Sequence, residues 1–154
     1  MSEGFYEVGV NISLSKMLRN LGLDCRAEQV LHVSKHNKLY RPDIRCFHNG
    51  LIVGIEASYD MRDAEKDARA RIDQGLVDLA IALHYPQKYR DVTDDQLNEL
   101  IKNSRFNIKI IAPSHVKIQS LLDFINNQLG RKPVVTTDWF STDVPTLVDI
   151  IRHA

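Results

Sequence analysis

Apolar and polar residues change period several times along this chain, and each change marks an element. From about Tyr6 to Leu21, Val8, Val10, Ile12, Leu14, Met17, Leu18 and Leu21 mix helical spacing with some alternation. The stretch reads as a helix with Glu7 on its first turn and Gly22 as its stop signal. Strand-like runs follow over residues 23–33, over Arg41–Phe47 after its proline, and over the nearly continuous apolar Leu51–Ala57. His48-Asn49-Gly50 separates the last two runs. Asn-Gly predicts a tight hairpin there, because both residues tolerate positive φ. Together the runs read as an antiparallel meander.

The period lengthens at Asp63. Ala64, Ala68, Arg71 (by its stem), Ile72 and Leu76 recur at three- and four-residue spacing, with charges on the other face. This is an amphipathic helix, opened by acidic Asp63 and Glu65 where the helix dipole favours them. Residues 76–85 then read as a buried strand closed by Pro86. A helix between two such strands predicts a crossover and parallel pairing. Thr93 is the expected N-cap of a helix over 93–102, and Phe106–Pro113 alternates as a strand. Further helices are expected over 114–129, stopped by Gly130, and over 144–152, beginning near Pro145. The last runs to the chain end without a closing signal, as expected of the N-terminal piece of something longer. The fold class is therefore α/β, a mixed β-sheet flanked by helices. One domain is expected over 1–154, with its motif-bearing core in 6–86 and an extension of helices and strand in 87–154.

Composition narrows the function. At 154 residues the chain suits a single core, and 44% hydrophobic with 26% charged residues excludes disorder. Lys+Arg 20 against Asp+Glu 20 gives a net charge of +0, so any anion-binding surface is local. No apolar run has the length of a membrane span and no basic-then-apolar leader opens the chain, so a cytoplasmic protein without membrane contact is expected. Cys25 and Cys46 form no CxxC, and neither a disulfide scaffold nor a zinc finger is expected. P-loop and dinucleotide glycine patterns are absent. His32 and His36 lack a third ligand nearby, and His84 falls on a buried strand.

The candidate chemistry is Arg41-Pro42-Asp43, then twelve residues, then Glu56-Ala57-Ser58. If the hairpin pairs as read, Asp43 near the start of one strand and Glu56 near the end of its neighbour converge on one side of the sheet. Neighbouring carboxylates repel and are stabilised by a divalent cation, and hard oxygen ligands suit Mg²⁺ or Mn²⁺. Such a site polarises a phosphodiester and acidifies a bound water.

This arrangement resembles the PD-(D/E)XK nuclease superfamily. Its restriction-endonuclease-like core has the order read over residues 6–85: helix, three meandering strands, crossover helix, further strand. Ile55-Glu56-Ala57-Ser58, the run from Asp63 to Ile72, and Ala80–Pro86 with its Tyr-Pro end look like the N-terminal nuclease domains of bifunctional restriction–modification enzymes. The resemblance covers about the first 90 residues. It implies Mg²⁺- or Mn²⁺-dependent hydrolysis of DNA phosphodiesters in defence against foreign DNA. Asp43 and Glu56 would hold the metal, with the Ala57 carbonyl as a further ligand.

Ser58 stands where the motif has lysine. The resemblance then gives the basic role to Lys66 on the following helix, with Ser58 holding a water. Arg69 and Arg71 are weaker substitutes, because guanidinium groups do not deprotonate. Glu7 and Gln74 are additional site candidates, whereas Glu28 has no assigned part. Lys35, Lys38, Arg41, Arg45, Arg62 and Arg69 are the expected DNA contacts. The implied partners are DNA, methyltransferase or target-recognition domains or subunits, and a second copy in a homodimer. The alternative is a catalytically inactive module of the same fold that binds DNA or a protein partner.

Overall fold

Val10, Leu14 and Leu18 fall on one stripe of the first helix, α1 (Glu3–Asn20), and are buried. The helix stops where expected, at Gly22, whose φ of 98° suits glycine. The computed structural model describes residues 3–85, 92–112, Phe124 and 138–154, with side chains from Glu7 onward. Pro86, the expected helix over 114–129 apart from Phe124, and its stop at Gly130 lie outside the described residues.

After α1 come β1 (Asp24–Ala27), β2 (Leu31–Val33), β3 (Lys38–Tyr40), β4 (Ile44–His48) and β5 (Leu51–Ser58). The crossover helix α2 (Met61–Asp73) leads to β6 (Leu79–His84), α3 (Asp94–Asn103), β7 (Phe106–Ile111), β8 (Phe140–Thr142) and α4 (Val144–Arg152). The protein is α/β. Six strands form one mixed sheet in the order β1-β4-β5-β6-β7-β8, flanked by helices, while β2 and β3 pair apart from it as a two-stranded ribbon. Among the described residues no helix is long and apolar enough to cross a membrane.

The local signals explain most of this. Asn49 and Gly50 both take positive φ, 50° and 76°, and join β4 to β5 antiparallel with His48 opposite Leu51. Asp60 caps α2 by accepting from the N–H groups of Arg62 and Asp63, so the helix starts two residues earlier than read. It ends before Gly75, whose φ is 74°, which leaves Leu76 to the core outside the helix. Thr93 is the N-cap, as expected, and also forms a capping box with Gln96. β6 lies parallel to β5, as the crossover required.

Side chains alternate across β5. Val53, Ile55 and Ala57 join Val10, Leu14 and Leu18 on the α1 side, whereas Ile52 joins Ala64, Ala68, Leu76 and Val77 on the α2 side. The alanines let α2 lie close to the sheet. Gly54 shares that face, and a Cβ there would stand 2.6 Å from Val77 Cγ1. Gly54→Ala is expected to destabilise the fold by about 1–3 kcal/mol through overpacking, read from urea denaturation. Unchanged stability would mean that Val77 moves aside freely.

Several expectations are corrected. The strand over 23–33 is two strands in different sheets, broken at Glu28, whose φ of 57° turns the chain out of β1. The sequence reading also missed the β2–β3 ribbon and β8. Cys25 and Cys46 are not independent thiols: they are direct partners in the β1–β4 register, with Cα atoms 4.1 Å apart, and form a disulfide.

Candidate active site

Asp43 lies just before β4 and Glu56 near the end of β5, and the register that places Ile44 opposite Ile55 brings the two together. By alternation both point to the α2 side. Each is fastened to the other's strand. The Asp43 N–H donates to Glu56 Oε2 at 2.8 Å, and the Ala57 N–H donates to Asp43 Oδ2 at 2.9 Å. Glu56 is 2% exposed, so its charge is answered from within the protein. Arg71 of α2 does this through Nε, 2.9 Å from Glu56 Oε1. The rest of its guanidinium donates to Gln74 Oε1 at 3.0 Å and to the Arg41 carbonyl at 3.3 Å.

A second layer surrounds Asp43. The Glu28 N–H donates to the Asp43 carbonyl at 2.9 Å. The Glu28 carboxylate pairs with Arg41 at 3.0 Å and accepts from Asn11 Nδ2 of α1 at 2.8 Å. Glu7 of α1 lies near enough for its charge to act on Asp43. The cluster thus joins both flanking helices around one end of the β4–β5 hairpin.

Burial raises Glu56 to about 8, the neighbouring Asp43 charge adding to the push and Arg71 opposing it. Burial likewise raises Asp43 to about 7, helped by Glu28 and Glu7 and opposed by the Ala57 N–H and Arg71. Both carboxyls therefore hold protons more tightly folded than unfolded. Their contribution is fully present below pH 4 or so, where the unfolded groups are also protonated. It is lost progressively as pH rises from there, and the loss is complete once pH has passed through about 7 and about 8. Metal-free protein is expected to melt at a higher temperature at pH 5 than at pH 8; a flat profile would show the pair to be solvated.

The other expected site residues are placed as follows. Gln74 reaches the cluster through Arg71, and Ala57 through its N–H. Ser58 faces the same side of β5 as Glu56 but is buried, and its hydroxyl accepts from the Asp60 N–H at 3.1 Å. It thereby supports the start of α2. Lys66 is not brought to the carboxylates. It lines an open groove on the outward face of α2 with Arg62, Glu65, Arg69, Ala70 and Asp73, away from the Ala64–Ala68 face.

Of the expected DNA contacts, Lys35 and Lys38 are exposed on the β2–β3 ribbon, and Arg62 is exposed on α2. Arg69 pairs with Glu65 at 3.1 Å, and Glu65 also takes Lys109 at 2.8 Å. Arg45 is half-buried: it donates to the Leu76 carbonyl at 3.3 Å and lies over the Phe47 ring, and burial lowers its pKa. That is a structural use, not a free phosphate contact.

Sequence reasoning missed Glu28 and Asn11, which carry no motif, and underrated Arg71. Arg71 did give a signal, as a cation on the alanine stripe of α2. Among the described residues no group of three or more His, Cys, Asp or Glu gathers as a metal cage. No family model, curated protein or solved structure matches this chain.

Proposed function

We propose that this chain is a Mg²⁺-dependent DNA endonuclease domain of the PD-(D/E)XK type, hydrolysing phosphodiester bonds in restriction of foreign DNA. The supporting observation is the buried Asp43–Glu56 pair across a hairpin, faced by Arg71 from the crossover helix. The donor set fits a hard divalent cation. Two carboxylates driven towards protonation by burial and mutual repulsion gain from one, and Mg²⁺ typically takes only one or two carboxylates, drawing its other ligands from water and phosphate. Asp43 and Glu56 would hold it, with the Ala57 carbonyl within the same strand as a further donor. Such an ion, when bound, polarises the phosphoryl oxygen and lowers the pKa of a water.

The chain's own groups do the rest. Arg71, kept in place by Gln74 and the Arg41 carbonyl, offers its guanidinium to the developing phosphate charge and, remaining protonated, takes up no proton. Asn11 and Glu28 hold the Arg41–Asp43 segment in position. In this reading target recognition and methyl transfer lie in other domains or subunits, a second copy pairs for the second strand, and the site of action is the cytoplasm.

One observation favours a second reading, an inactive nuclease-fold module that binds DNA or a protein. The motif's lysine position is Ser58, bonded into the α2 cap, and Lys66 faces outward. Incubation of supercoiled and linear DNA with Mg²⁺, Mn²⁺ or EDTA separates the two. Cleavage that requires the cation supports the nuclease. Calorimetric cation binding without cleavage, or no cation binding at all, supports the module.

A further inference from the structure

The β2–β3 ribbon lies beside the carboxylate cluster, yet its chemistry differs from that of the chain as a whole. Residues 29–42 contain Lys35, Lys38, Arg41, His32 and His36 and no Asp or Glu, within a chain of balanced charge. Among the described residues no carboxylate pairs with Lys35 or Lys38. Leu31, Val33 and Tyr40 pack the ribbon onto the α2-side core. The opposite face is open: His32 and Leu39 are register partners, Leu39 is 67% exposed, and Val30 just before β2 is 63% exposed.

The ribbon is also built to hold its shape. The His36 N–H donates to the Val33 carbonyl and the Asn37 N–H to the Ser34 carbonyl, both at 3.1 Å. Asn37 closes the turn at a φ of 50°, and the Tyr40 hydroxyl lies 3.2 Å from His36 Nδ1. Both ends of the ribbon are tied to the site, through the Glu28 N–H on the Asp43 backbone carbonyl and through Arg71, the partner of Glu56, on the Arg41 carbonyl. At about 3.3 Å per residue, its tip stands roughly 10 Å from its base.

We propose that the β2–β3 ribbon enters the major groove of duplex DNA beside the phosphodiester held at Asp43 and Glu56. Lys35 and Lys38 meet flanking phosphates, and Leu39 and Val30 lie against base edges. The choice of DNA rests on the nuclease reading above. A two-stranded ribbon has the width that the roughly 12 Å major groove admits. Two exposed apolar residues, Leu39 and Val30, on an element that carries cations without a carboxylate partner suit a surface with charged edges and an apolar floor, such as thymine methyls. A rigid tip loses little freedom on binding.

The test is fluorescence anisotropy with a labelled duplex, with Ca²⁺ in place of Mg²⁺ to keep the strands intact. A Lys35→Ala/Lys38→Ala double variant is expected to bind on the order of 10- to 100-fold more weakly at roughly 0.1 M salt, with the slope of log K against log salt reduced by about 2. Leu39→Ser is expected to weaken binding without changing that slope. Far-UV circular dichroism and melting should match the wild type, because these side chains are exposed. Unchanged affinity and slope in the double variant overturn the proposal. So do tighter binding of single-stranded RNA and failure of the wild type to bind duplex. Ribbon-dependent binding without cleavage in Mg²⁺ keeps the ribbon's role and removes the nuclease; cleavage with ribbon-independent binding does the reverse.

Discussion

Asparagine in place of Asp43 is expected to lower DNA cleavage by on the order of 10³-fold and to raise the melting temperature at pH 8. The two effects have one cause. Asp43 Oδ2 accepts the Ala57 N–H, a bond that an asparagine carbonyl keeps, so the strand ends stay in place. The substitution removes the charge that burial opposes, together with its push on Glu56. At pH 8 the variant is spared that repulsion. At pH 5 the wild-type carboxyls hold their protons when folded and the gain is much smaller. On the proposed nuclease reading, cation binding and cleavage are lost because one of the two proposed ligands is gone. A variant that simply misfolds would lose both activity and stability, whereas here they move in opposite directions. Full cleavage by Asp43→Asn would end the metal-site reading.

Arg71→Met carries the largest expected effect on stability. Its guanidinium is bonded to the buried Glu56 at 2.9 Å, and removing one partner of a buried pair costs about 3–5 kcal/mol. The loss depends on pH. Arg71 lowers the Glu56 pKa, so without it Glu56 is held still higher and protonates more readily on folding. Urea denaturation should therefore show the full deficit at pH 8 and a smaller one at pH 5. Equal deficits at both would mean that Arg71 acts by packing of its stem. Arg71→Lys keeps the charge but not the fork that also reaches Gln74 and the Arg41 carbonyl, and should fall between the two.

The distinction between Arg71 and Lys66 was already in the sequence, as helical phase. At 100° per residue, Arg71 falls beside Ala64 and Ala68 on the buried stripe, while Lys66 lies on the far side of the helix. Nearness in sequence to Ser58 pointed to Lys66, whereas the cation bonded to Glu56 is Arg71. The Asn49-Gly50 hairpin, the α2 stripe and a lone acid ending an apolar strand were legible because each is a local pattern. The break at Glu28 was not. A non-glycine residue at positive φ is favoured there by bonds to Asn11, seventeen positions away, and to Arg41. The pairing of Cys25 with Cys46 was hidden for a similar reason, since it follows from the register of two strands separated by the ribbon. Ser58 could be identified as a departure from the motif, but its bond to the Asp60 N–H depends on where α2 begins.

That cysteine pairing changes the connectivity of the chain. The cross-link closes residues 25–46 into a covalent ring, and the ring carries the ribbon, Glu28, Arg41 and Asp43. A protease that nicks the exposed tip beside Lys35 would open the backbone without dividing the molecule, and Asp43 would remain joined to the strand opposite Glu56. In a compartment that keeps thiols reduced the ring is an open excursion, and the same nick leaves two separate pieces held only by sheet pairing and packing. The redox state of the surroundings thus decides whether an intact ribbon is needed to keep the two parts of the chain in one molecule.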